Sequence, residues 1–166
     1  AALREKKAEA TVIGALEDVC YLFNIRGNDI ECTPVVTAYA LVDMQSARIY
    51  IDARQMTDEV KAALEKEGVS VAPYEAVFVD AERLQGTVYL DPARTNIFLR
   101  NKIKADIIED INITSSMKAV KNEIEIKNYR NAFLKDGIAM VKILKWVEEH
   151  ADAGVTLSLI HISEPT

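Results

Sequence analysis

The fold of this chain is decided by the stretch VVTAYALVDMQSARIYIDA, residues 35–53. Its two apolar runs, residues 35–42 and 47–53, are rich in β-branched and aromatic side chains, which are enriched in strands. The four residues between the runs, DMQS, have the length of a hairpin connection. The stretch therefore predicts two antiparallel strands.

The segment after this hairpin predicts helices that alternate with strands. Thr57 is a preferred residue before the first turn of a helix, and Gly68 is a preferred residue just after the last turn, so a helix is predicted between them. Beyond Gly68, the hydrophobic pattern predicts strands at residues 69–74, 86–92 and 105–110 and helices at residues 74–84 and 94–101.

The segment before the hairpin has the same character. Residues 10–15, ATVIGA, form an apolar run that suits a buried strand. The apolar residues of LEDVCYLFN, residues 16–24, recur at spacings of three and four, which predicts a helix with one buried face. Residues 26–34 are rich in Gly, Asn, Asp, Thr and Pro, which predicts a loop. One hairpin within alternating strands and helices predicts the α/β class, with a mixed sheet and flanking helices.

The composition narrows the classes of function. The chain has 166 residues, of which 49% are hydrophobic and 28% are charged, as in a globular domain. A net charge of -6 and scattered Lys and Arg residues argue against nucleic acid and anionic membranes as partners. No apolar stretch reaches the roughly 18 residues that a membrane span needs. Cys20 and Cys32 lack the spacing of a zinc site or a disulfide framework, so reduced thiols and a cytoplasmic location are expected.

A long amphipathic helix is predicted from residue 123 onward. The apolar stripe of this helix consists of Ile126, Tyr129, Phe133, Gly137, Met140, Leu144 and Val147. Because the α/β unit before it looks complete, the stripe is expected to pack against a second domain. The predicted organisation is an α/β module at residues 1–111, a linker at residues 112–122, and the first helix of a further domain at residues 123–156.

The last ten residues, LSLIHISEPT at 157–166, resemble the translation of a sequencing-library adapter. They do not continue the helical pattern before them, so they are interpreted as a non-native tail. The alternative is a genuine strand, since the tail contains a short apolar run.

Two stretches resemble a known family. LEDVCYLFNIRGNDI, residues 16–30, resembles a segment of the Xaa-Pro aminopeptidases, or aminopeptidases P, which belong to the creatinase and prolidase group. Residues 118–149 resemble the stretch that enters the catalytic domain of those enzymes. The residues that match there, at the spacing of the family, are Lys121, Asn122, Glu123, Glu125, Arg130, Ala132, Asp136, Gly137 and Trp146. Thr33, before Pro34, departs from the Asn that the family usually has.

The resemblance implies a fold and an activity. Residues 1–111 would be a creatinase-type N-terminal module with a ribonuclease H-like sheet, and the helix from Glu123 would open a truncated "pita-bread" catalytic domain. In the full-length enzymes that domain binds two divalent metals, usually manganese, and removes an N-terminal residue that precedes proline. The partners implied are proline-containing peptides and a second copy in a homodimer. The metal ligands lie beyond this chain, so it is expected to be inactive alone and to shape the substrate cleft and the subunit contacts.

The best candidates for a substrate-cleft role are Asn24, Arg26 and Asp29, in the loop directly after a predicted buried helix. An alternative is that Arg26 and Asp29 pair locally and that Gly27 only permits the turn. No catalytic residue and no metal ligand is predicted, since His150 is expected at an exposed helix end. Two other functions stay open, which are a free-standing α/β binding or assembly module and a prolidase or creatinase relative.

Overall fold

The computed structural model describes residues 2–151. The chain divides into two compact units, Ala1–Val120 and Lys121–Thr166. The interpretation of residues 157–166 as a non-native tail falls outside the described residues.

The first unit contains a six-stranded sheet and six α-helices within the described residues. In chain order its elements are α1 Ala2–Glu5, β1 Ala10–Ile13, α2 Leu16–Phe23, β2 Ala38–Asp43, β3 Ala47–Ile51, a 3-10 turn Ala53–Gln55, α3 Asp58–Lys66, β4 Val69–Pro73, α4 Ala76–Arg83, β5 Thr87–Leu90, α5 Ile97–Lys102, β6 Asp106–Glu109 and α6 Ile113–Ala119. The predicted α/β class, with a mixed sheet and flanking helices, is confirmed.

The sheet has the strand order β4-β3-β2-β1-β5-β6. The predicted hairpin is present, because β2 pairs antiparallel with β3, with Tyr39 opposite Tyr50. Strand β2 is also antiparallel to β1, whereas the pairs β1/β5, β5/β6 and β3/β4 are parallel. Five strands therefore run in one direction, and their carboxyl ends meet at one edge of the sheet, which we call the carboxyl edge.

Side chains that alternate along the strands form a core on each face of the sheet, as the two-residue period of a strand requires. On one face, Val12, Tyr50 and Leu90 pack with residues of α4 and α5. On the other face, Ile13 and Ile49 pack with residues of α2 and α3. Both faces are thus covered by helices, which explains why the central strands are almost wholly apolar.

The segment predicted as a linker, residues 112–122, is mostly part of the first unit. It contains α6, which packs against α2. Asn112, at the start of this helix, is only 1% exposed, and Thr114 is also buried. The sequence analysis missed the helix because the buried residues at its start, Asn112 and Thr114, are polar.

The second unit contains the predicted long helix, α7 Glu123–His150. Asn122 caps it, since its side chain accepts a hydrogen bond from the backbone N–H of Glu125 while the Glu125 carboxylate accepts one from the N–H of Asn122. Within Glu123–His150 no residue is buried. None of the helices in residues 2–151 is both long and apolar enough to cross a bilayer.

Candidate functional site

The loop between α2 and β2, residues 24–37, contains the three residues predicted to line a cleft. Asn24 ends α2 in the left-handed conformation, with φ of 51°, and its backbone N–H donates to carbonyls of the last turn. Asparagine tolerates this conformation better than most residues with a side chain. The structure therefore gives Asn24 a role in ending the helix.

Arg26 also closes the end of α2. Its guanidinium Nη1 donates to the carbonyl of Ile25 at 2.7 Å and to that of Cys20 at 3.3 Å. The carbonyl of Cys20 also accepts from the backbone N–H groups of Asn24 and Ile25, so Arg26 adds a side-chain bond to a helix end that backbone bonds already close. Within residues 2–151 no ion pair joins Arg26 to Asp29, so the local pairing considered as the alternative is not present.

Asp29 links the loop to the carboxyl edge. Its Oδ2 accepts from the backbone N–H of Thr37 at 2.6 Å and from Nε2 of Gln55 at 2.9 Å. Thr37 precedes β2 and Gln55 lies in the 3-10 turn after β3. Thr37 and Gln55 line a pocket of about 550 Å³, together with Asp52, Tyr74 and others. Of the three predicted residues, Asp29 is therefore the one whose partners border a cavity.

A second pocket, of about 500 Å³, lies where β1 and β5 end side by side. Helix α2 follows β1 onto one face of the sheet and α5 follows β5 onto the other, and such a crevice is a common ligand position in α/β sheets. The two loops come close at Gly14, where an added Cβ would lie 2.8 Å from the carbonyl oxygen of Arg94. Sequence analysis missed this crevice, although Gly14 directly after a strand was a signal for it.

Asp18, in the first turn of α2, forms the centre of a buried polar cluster. It is 2% exposed, and Lys118, Asn112 and Ser115 all donate hydrogen bonds to its carboxylate. Burial raises the pKa of Asp18, but the hydrogen bonds and the charge of Lys118 outweigh this effect and leave the pKa below its ordinary value. Sequence reasoning did not find this cluster, because its members are about 100 residues apart in the chain.

The described residues do not form a metal site. Within residues 2–151 no three His, Cys, Asp or Glu side chains are grouped so that they could hold a metal ion. The ring of His150 stacks on that of Trp146, with Nδ1 2.8 Å from the carbonyl oxygen of Trp146.

Residues 1–125 match the family model described as the creatinase/prolidase N-terminal domain. The chain belongs to this family. The matched residues include the whole of the first unit, with its six-stranded mixed sheet.

The relatives of this creatinase/prolidase N-terminal domain are much longer proteins. "Xaa-Pro aminopeptidase 1" of Dictyostelium discoideum is 30% identical over 151 residues, which cover 89% of this chain and 24% of that protein. "Probable Xaa-Pro aminopeptidase P" of Laccaria bicolor is 34% identical over 165 residues, which cover 94% of this chain and 25% of that protein. The chain therefore spans about a quarter of the length of these curated relatives.

Solved structures show the same relationship. The X-prolyl aminopeptidase of Caenorhabditis elegans, described as a cytosolic enzyme with a di-nuclear active site, superposes with a TM-score of 0.79 at 32% identity, over 92% of this chain and 26% of that one. The N-terminal domain of the cytoplasmic peptidase PepQ from Mycobacterium tuberculosis superposes with a TM-score of 0.51 at 16% identity, over 69% of this chain and 90% of that domain. The second likeness shows the fold alone.

Proposed function

We propose that this chain is the non-catalytic N-terminal region of an Xaa-Pro aminopeptidase, a hydrolase that removes an N-terminal residue preceding proline. The observation that supports this most strongly is the likeness to the C. elegans enzyme, which covers 92% of this chain but only 26% of that one. Residues 2–151 contain no grouping of metal-ligating side chains. Hydrolysis would therefore be performed by residues of the remaining part of the enzyme.

In this proposal the α/β unit shapes the substrate cleft for proline-containing peptides. The support is the carboxyl edge, where two pockets flank the start of β2. Asp29 holds Thr37 and Gln55 at the wall of the first pocket through two hydrogen bonds, so it would fix the shape of that wall. Asn24 and Arg26 would act at a distance, by fixing the point at which the loop leaves α2.

The full-length protein would bind two divalent metals, with manganese as the proposed ion. It would act as a cytoplasmic homodimer, with this region contributing to subunit contacts. The description of the C. elegans relative as a cytosolic enzyme with a di-nuclear active site supports the location and the number of metals. When bound, two metals that share a water molecule supply a hydroxide near neutral pH.

The exposed apolar stripe of α7 predicts that the isolated chain associates with itself. Phe133 is 69% exposed and Leu144 is 62% exposed, and apolar patches of this kind favour association. We expect the chain to self-associate, and Phe133→Asp to weaken that association about tenfold or more, since a buried apolar anchor contributes roughly 1.5–3 kcal/mol. Asn131→Asp, nearly half a helical turn away, is the matched control. Sedimentation velocity over a concentration series measures both, and a monodisperse monomer at every concentration would contradict the prediction.

Sequencing the source DNA beyond residue 156 tests the proposed function. An open frame that encodes two Asp, one His and two Glu metal ligands in the order of the family supports an Xaa-Pro aminopeptidase. A stop codon after a short tail would instead support a free-standing α/β module. A continued frame whose pocket residues are those of prolidase or creatinase would keep the fold and change the substrate.

A further inference from the structure

One buried carboxylate fixes the last helix before the boundary between the two units. Asp18 Oδ2 accepts from Nδ2 of Asn112 at 3.0 Å and from Oγ of Ser115 at 3.1 Å, and Oδ1 is bonded by the ammonium of Lys118. All three donors belong to a single short segment, residues 112–118. Both carboxylate oxygens are therefore used to hold that one segment.

The sheet holds only the beginning of the same segment. The hydroxyl of Tyr89 donates to the carbonyl of Ile111 at 2.7 Å, and Oδ2 of Asp91 accepts from the backbone N–H of Asn112 at 3.2 Å. Asp18 bonds Asn112 and Ser115 near the start of the segment and Lys118 near its end. Asp18 therefore contacts both ends of α6, whereas the bonds from Tyr89 and Asp91 reach residues 111 and 112.

Apolar packing contributes little to the hold on α6. Thr114 is its one buried residue, while Met117 is exposed and Val120, just after the helix, is almost fully exposed. Ile113 and Met117 have the spacing of an apolar stripe, but Ile113 is only half-buried and Met117 is exposed, so the stripe buries little surface. Hydrogen bonds to a buried charge are stronger than neutral ones, so the Asp18 cluster stabilises α6 beyond what its limited apolar burial supplies.

We propose that Asp18 is a positioning residue, which holds α6 against α2 and thereby fixes the point at which α7 leaves the α/β unit. Helix α6 ends at Ala119 and α7 begins at Glu123, so only residues 120–122 connect them. Three extended residues span at most about 10 Å, so they cannot absorb a large displacement of α6. The consequence for catalysis rests on the proposed function, because it requires α7 to be the first helix of the hydrolytic domain.

Hydrogen exchange on this chain tests the hold directly. In Asp18→Asn the backbone amides of residues 115–119 should exchange about tenfold faster or more than in the wild type, because Asn112, Ser115 and Lys118 lose the charged acceptor that they share. The amides of β1 and β5 should change less. Unchanged exchange in α6, or equal acceleration throughout the first unit, would overturn the proposal.

Two further variants keep the test decisive. Lys118→Met removes the cation and leaves the carboxylate its two neutral donors, so α6 should loosen even if Asp18→Asn does not fold. Glu109→Gln breaks the exposed ion pair between Arg100 and Glu109 at the end of β6, which lies three residues before Asn112 but bonds no member of the Asp18 cluster, and should leave α6 protected. Loosening of α6 by Glu109→Gln, or its full protection in Lys118→Met, would count against a specific hold by Asp18.

Kinetics of the full-length parent enzyme separate positioning from folding. Asp18→Asn should raise KM for an Xaa-Pro tripeptide about tenfold. The value of kcat and the bound metal content should stay within about twofold, because the substitution shifts α7 but leaves the metal-binding residues of the parent enzyme unchanged. Glu109→Gln should change neither constant. An unchanged KM in Asp18→Asn would overturn the positioning role. A wild-type parent that cleaves no such peptide would instead refute the proposed function, and the exchange result on α6 would still decide the hold.

Discussion

Replacing Tyr50 with Ala is expected to destabilise the first unit by about 3–5 kcal/mol, as for other large aromatic truncations in a core. Tyr50 is 0% exposed, lies one residue before the end of β3, and belongs to the core on the α4 side of the sheet. Truncation removes its ring and its bond to Asp80, and the sheet cannot collapse into the space without moving neighbouring strands. Native-state hydrogen exchange of the β3 amides measures the change in the first unit alone.

The matched control is Tyr50→Phe, which keeps the ring and removes only the hydroxyl. In the wild type the Tyr50 hydroxyl donates to Oδ2 of Asp80 at 2.9 Å, and Arg48 donates to the same oxygen at 2.6 Å. Because Asp80 keeps Arg48, the loss should be only about 1 kcal/mol. A loss in Tyr50→Phe as large as that in Tyr50→Ala would show that the hydroxyl network, rather than the packed ring, stabilises this face.

Replacing Gly27 with Ala is expected to destabilise the first unit by about 1–3 kcal/mol and to displace the loop at residues 24–37. A Cβ at this position would lie 2.4 Å from Cγ1 of Val36 and 3.2 Å from the carbonyl oxygen of Val35. Val36 is buried and β-branched, so its side chain cannot rotate away without strain. Hydrogen exchange of the β2 amides measures the loss of stability. Unchanged exchange in Gly27→Ala would contradict the close contact between residue 27 and Val36.

The corresponding change in open space is Gly137→Ala. Nothing lies within 4 Å of a Cβ added there, and the residue is in the middle of α7. Since alanine is favoured over glycine inside a helix by about 1 kcal/mol, the substitution should raise the helix content and its thermal stability. Circular dichroism measures both. The opposite signs expected at the two glycines distinguish steric contact from backbone freedom.

The elements with a clear apolar period were predictable from the sequence. The hairpin follows from two apolar runs on either side of DMQS, and α7 from apolar residues spaced three and four apart after Asn122. Helix α6 was not predictable, because the signal for it is polar and long-range. Asp18 meets Lys118 only after the sheet has placed α2 and α6 side by side.

The candidate site was predictable only in part. Residues of the loop after α2 were identified, but their contacts depend on neighbours that are distant in sequence. Asp29 bonds Gln55, 26 residues away, and no local pattern reports that pairing. Arg26 closes its own helix rather than pairing with Asp29. The crevice at Gly14 arises from strand order, which hydrophobic patterning does not encode.

The most direct test of the account is a paired assay of this chain and the full-length parent with manganese and an Xaa-Pro peptide. Isothermal titration calorimetry of the chain should show no tight manganese site, and the chain should release no N-terminal residue from the peptide. The parent protein should bind two metal ions and cleave. A micromolar manganese site within residues 2–151, or cleavage by the chain alone, would contradict the claim that hydrolysis belongs to the rest of the enzyme.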